Sequence, residues 1–92
     1  MSTRRKTPRI HRARLRISTG TGPAALHSTL ARAAGEFERI HGRPVARIRY
    51  PKLGGWSSRI ATFAVRNAIK TVPDGDLDDR MLVLEAPRGA RK

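Results

Sequence analysis

Two short segments carry the residues best equipped for chemistry. Arg12, Arg14 and Arg16 alternate with Ala13, Leu15 and Ile17; Arg47 and Arg49 alternate with Ala46, Ile48 and Tyr50. A period of two is that of a β-strand with one buried face. Each segment therefore points its arginines one way and its apolar side chains the other. A guanidinium is always charged, and its planar fork of donors matches phosphate oxygens two at a time. No acidic residue interrupts either segment. The spacing predicts an arginine face built to hold phosphates.

Three further features point to the same chemistry. Arg4, Arg5 and Lys6 lie in a stretch of 35 residues with eight basic side chains and no acidic one. In the segment PKLGGW, Lys52 supplies charge, Gly54 and Gly55 let backbone N–H groups approach an anion, and Trp56 offers a ring for base stacking. The competing role for Trp56 is to close the core at a helix start. Arg59, Arg66 and Lys70, with Thr62, fall on one face of a predicted helix, opposite its apolar side. Such a strip either tracks a nucleic-acid backbone or is the solvated side of an amphipathic helix, the commoner case.

Catalytic and metal chemistry find little support. His11, His27 and His41 are scattered, with no carboxylate or thiol at ligand or triad spacing. The absence of cysteine excludes disulfides, zinc-thiolate sites and thiol nucleophiles. Residues 20–25 match a dinucleotide fingerprint formally, but Tyr50, Pro51 and Lys52 stand where its acidic residue belongs. Asp74, Asp76, Asp78 and Glu85 have calcium-loop spacing, but Asp79 replaces the required glycine, so an acidic turn is expected instead. No enzyme activity, cofactor or metal is expected.

These groups must be positioned by one domain. The chain has 92 residues, with 20 Lys plus Arg against 7 Asp plus Glu, a formal charge of +13. Charge of one sign opposes compaction, and a polyanion relieves it. Nucleic acid, DNA or RNA, is the expected partner. No apolar run is long enough for a membrane span and the N-terminus lacks a signal-peptide core, so a cytoplasmic protein is expected.

Residues 1–9 read as a basic arm, 10–86 as one globular domain and 87–92 as a basic tail. The first strand is expected over 12–18. Gly22 and Pro23 then open a helix whose apolar positions are Leu26, Leu30, Ala33, Phe37 and Ile40, ending at Gly42, with a kink possible at Gly35. A second strand spans 45–50. A second helix, capped by Ser57 or Ser58, presents Ile60, Ala61, Ala64, Val65, Ala68, Ile69 and Val72 until Pro73 stops it. A third strand covers 80–86, with Leu82, Leu84 and Ala86 on its core side. Met81 and Val83 fall opposite, where they suggest a second copy of the chain, a protein partner or a tail folded over them.

The resulting fold is α/β (or α+β), a two-layer β-α-β-α-β sandwich with a small three-stranded sheet and both helices on one face. This order, with the basic character and the size, resembles Alba-type chromatin proteins over residues 12–86. It equally resembles the C-terminal domain of bacterial translation initiation factor three. Both families bind nucleic acid, so the resemblance implies the same partner. The loop at 19–23 lacks the lysines of Alba proteins, and both families have a fourth strand that this reading does not supply. No family functional residue maps onto this chain. The expected function is non-catalytic binding of the phosphate backbone through the sheet face and N-terminal arm. The alternatives are a structural component of a nucleoprotein or phage particle, and a small ribonuclease or toxin.

Overall fold

The computed structural model describes residues 10–87. The elements run β1 (Ile10–Arg16), α1 (Pro23–His41), β2 (Arg47–Pro51), α2 (Trp56–Arg66), β3 (Lys70–Asp74) and β4 (Met81–Pro87). The class is α+β, and the sheet has four strands rather than three.

The additional strand comes from residues expected in the second helix. Helix α2 stops at Arg66, where Asn67 caps it and Ala68 adopts the left-handed conformation at φ 57°. That residue turns the chain into β3. Pro73 lies on this edge strand, where a missing N–H leaves no ladder bond unmade in the central sheet. The core face of α2 is also narrower than its alternation suggested. Trp56, Ile60, Phe63 and Ala64 are buried at helical spacing, whereas Val65 is 81% exposed. Neither Ser57 nor Ser58 caps the helix; Gly55 holds that place at φ 67° without a side-chain bond.

Helix α1 follows its sequence signals closely. Gly22 precedes Pro23 in the first turn, and the chain passes Gly35 within one continuous helix. Gly42, at φ 72°, ends it by donating its N–H to the Glu38 carbonyl. Leu26, Leu30 and Phe37 face the core, while Ile40 is 66% exposed.

The strand order is β1-β4-β2-β3. β4 runs antiparallel to both β1 and β2, and β2 pairs in parallel with β3. Thus β1, β2 and β3 all point one way. The β1-α1-β2 and β2-α2-β3 crossovers advance in the same direction across the sheet, so right-handed connections place both helices on one side. A single core cluster joins Leu26, Leu30 and Phe37 of α1 and Trp56, Ile60, Phe63 and Ala64 of α2 to the sheet residues Ile48, Leu82, Leu84 and Ala86. Ala13, Leu15 and Tyr50 pack at its margin. The opposite face of the sheet carries no helix. No described helix is long and apolar enough to cross a membrane.

Candidate nucleic-acid interface

Because side chains alternate, the open face receives Arg12, Arg14 and Arg16 from β1, Arg47 and Arg49 from β2, and Met81, Val83 and Glu85 from β4. Register aligns them in rows across the sheet. Glu85 lies opposite both Arg12 and Arg47, and Arg47 lies opposite Lys70. Val83 lies opposite both Arg14 and Arg49.

Glu85 is the centre of this face. It is 0% exposed, though no helix covers it. Arg12 donates its Nε–H to Oε2 at 2.8 Å, Arg49 donates to the same oxygen at 3.0 Å, and Arg47 donates to Oε1 at 2.7 Å. Burial pushes the carboxyl's pKa up, but the hydrogen bonds from the three guanidiniums outweigh it and hold Glu85 below the usual carboxylate value. The carboxylate is therefore ionised at neutral pH. Each of the three arginines uses its Nε on Glu85, and the two terminal nitrogens keep four of the five donors of the group. Arg12 is 54% exposed, Arg47 31% and Arg49 30%. The arrangement fixes three guanidiniums in one place; the terminal forks of Arg12 and Arg47 stay reachable, and a terminal nitrogen of Arg49 faces Asp74 at 3.8 Å.

The acid was absent from the two arginine strands, and it arrives from the strand inserted between them. Glu85 is thus the member of this face that the alternation of the two arginine strands does not reveal. Its signal was present: Glu85 alternates with Leu84 and Ala86, so it must face away from the core if those two face into it.

The outer-face apolar residues do not form an exposed patch. Val83 is 4% exposed, and its cross-strand neighbours are Arg14 and Arg49. Arg14, Arg49, Leu77 and Met81 stand around it in a shallow groove. The Met81 and Val83 surface expected to receive a partner thus presents half-buried Met81 and little of Val83.

The acidic turn meets one end of the same face. Asp78 lies 3.6 Å from Arg16, and Asp74 lies 3.8 Å from Arg49. A groove of about 340 Å³ between them is lined by Arg12, Arg14, Arg49, Asp74, Asp76 and Asp78. Arg14 is exposed and takes part in none of these ion pairs. Glu85 sits among arginines, apart from the aspartates with which it shares calcium-loop spacing, and no three metal-binding side chains gather among the described residues.

Of the two roles weighed for Trp56 in the PKLGGW loop, the structure shows the core-closing one. Trp56 is 2% exposed, donates its indole N–H to the Asp79 carbonyl at 2.8 Å and carries Arg59 over its ring at 3.9 Å. It closes the core and is not displayed for stacking. Gly54 is at φ 97°, and a Cβ there would meet the Trp56 ring at 3.3 Å. This glycine thus serves the turn that seats Trp56. Gly55 is the left-handed cap of α2, and Lys52 remains exposed beside the loop.

The predicted strip on the second helix is dispersed. Arg59 reaches back to the Thr21 carbonyl at 3.3 Å. Arg66 lines a cleft of about 740 Å³ between the helices, with His27, Glu38, Phe63 and Asn67. Lys70 leaves the helix altogether and joins the open sheet face beside Arg47. Arg4, Arg5 and Lys6 lie outside the described residues. Comparison with family models, curated proteins and solved structures finds no match for this chain.

Proposed function

We propose that this protein binds nucleic acid without catalysing a reaction, holding the phosphate backbone on the open face of its sheet. The observation that carries the reading is the Glu85 cluster. Three arginines from two strands are pinned by one buried carboxylate, and their terminal donors remain at the surface. Pre-ordered guanidiniums lose less side-chain entropy when a phosphate arrives than three free ones would. Arg14, Arg16 and Lys70 extend the same face. The excess of +13 supports a polyanionic partner.

The face offers phosphate donors rather than base readers. The sequence has no Gln, and its single Asn, Asn67, spends its amide on the Phe63 carbonyl. Affinity is therefore expected to be electrostatic and weakly sequence-specific. The resemblance to Alba-type proteins and the initiation-factor domain belongs to this proposal, on the pattern of elements alone.

A gel-shift panel of labelled single-stranded DNA, duplex DNA and RNA across a salt series tests it. Retardation at low salt that fades steeply as salt rises is the expected result. No retardation of any probe at low salt would overturn the reading. Cleavage of the RNA without added metal would replace it with a nuclease.

A further inference from the structure

The open face has two ends of different charge, and the strand register defines them. At one end β1 begins and β4 finishes, with Ile10 paired to Pro87. The row Arg12, Glu85, Arg47 and Lys70 crosses the sheet near this end. The chain segments that continue from Ile10 and Pro87 hold Arg4, Arg5, Lys6 and Arg9 on one side and Arg88, Arg91 and Lys92 on the other, with no acidic residue. Both are joined to the sheet at this same end.

The other end is where β3 passes into β4. Asp74, Asp76, Asp78 and Asp79 all lie between or beside those strand ends. Asp78 faces Arg16, Asp79 faces Arg80 and Asp74 faces Arg49. Arg16, Arg49 and Arg80 here are met by carboxylates, and the Lys52 stem lies against Gly75. From Arg12 to Arg16 the strand rises about 13 Å, longer than the Debye length of about 8 Å at physiological salt. The two ends are therefore distinct to an approaching polyanion.

We propose that nucleic acid crosses the sheet at the Arg12–Arg47–Lys70 end, and that the aspartates of the β3–β4 turn mark the border it does not pass. This rests on the nucleic-acid reading above and adds a location to it. A backbone on this end meets three cations of the sheet, Arg12, Arg47 and Lys70, at once. A backbone at the turn end would have to displace Asp74 and Asp78 from Arg49 and Arg16 and lie against Asp76.

The absence of cysteine makes the location measurable. A photo-cross-linker is attached to a single cysteine in the full chain, Lys70→Cys at one end or Asp76→Cys at the other. Both positions are exposed. Each variant is irradiated with labelled 20-base-pair DNA and RNA duplexes at low salt. Adducts from position 70 should exceed those from position 76 at least fivefold. The substitutions work against this outcome, since one removes a cation from the expected site and the other removes an anion from the excluded one. Equal adducts, or more at position 76, would overturn the proposal. The unmodified chain is run beside them by gel shift. If it retards no probe at low salt, the underlying nucleic-acid reading fails instead.

Discussion

Glu85 is the residue on which the stability of the open face turns. Its carboxylate is withdrawn from water and answered by three guanidiniums, each partly in solvent. Removing the carboxylate leaves three clustered positive charges without their common partner. Loss of one member of a buried pair costs about 3–5 kcal/mol, and partial solvation of the arginines puts Glu85→Gln toward the low end, at about 2–3 kcal/mol. Urea unfolding at pH 7 should show that loss. The pH dependence has a definite sign. Burial raises the Glu85 pKa and the arginines lower it further than burial raises it, so the folded value lies below the unfolded one. Its contribution is fully present above the unfolded carboxyl value of about 4.3 and disappears as pH falls through the lowered folded value. The stability gap between the native chain and Glu85→Gln should be constant from pH 7 to pH 5.5 and should narrow below about pH 4. A gap that widened on acidification would contradict the arrangement.

At the scale of elements, the decisive event is the end of α2. The apolar pattern from Ile60 to Val72 is compatible with one long helix, and Asn67 and Ala68 carry no strong stop signal. The structure nevertheless breaks there. The Ile69 N–H binds the Ala64 carbonyl, the Lys70 N–H binds the Ala46 carbonyl, and the chain pairs with β2. Continuing the helix would have left the outer edge of β2 without a partner, so tertiary hydrogen bonding overrides local propensity. The junction has a residual cost, because Ala68 sits at φ 57°, where its Cβ crowds the backbone. Ala68→Gly should relieve it and stabilise the protein by up to about 1 kcal/mol, offset in part by glycine's greater unfolded-state entropy. A higher urea midpoint with an unchanged slope would show this. A destabilisation beyond about 1 kcal/mol would mean the left-handed turn is not the constraint.

For the whole molecule, the question is how a chain with so few acids divides its charge. Helices cover one side of the sheet and leave the arginines on the other. Asp74, Asp76 and Asp78 of the β3–β4 turn gather at one end of that side, while the tail attachments stand at the other. Arg14 is exposed and outside the Glu85 cluster, and Arg16 has only a long, exposed pairing with Asp78. The double variant Arg14→Gln/Arg16→Gln therefore tests binding with little effect on the fold. With nucleic acid held at the Arg12–Arg47–Lys70 end, the slope of log affinity against log salt should fall by less than about 1 in this variant, whereas Lys70→Gln should lower it by about 1, with weaker binding to every sequence alike. Fluorescence anisotropy with a labelled duplex measures both quantities. An unchanged slope in Lys70→Gln, or a fall of about 2 in the double variant, would place the phosphates at the other end of the face. Arg47 serves this purpose less well, since its loss also disturbs Glu85.

The sequence by itself determined the two arginine faces, the apolar side of α1 and its glycine-marked ends. These follow from local periods and backbone geometry, which neighbouring residues set among themselves. It did not determine that β4 enters between β1 and β2, because strand pairing joins residues as distant as Arg12 and Glu85, and no local period encodes that choice. Only the tertiary structure brought the carboxylate to the arginines, buried Val83 and turned Trp56 inward onto the Asp79 carbonyl. The arginine surface read from alternation thus became a cluster organised around one buried acid, because burying that charge required several hydrogen-bonding cations within reach, and the pairing of three strands supplied them.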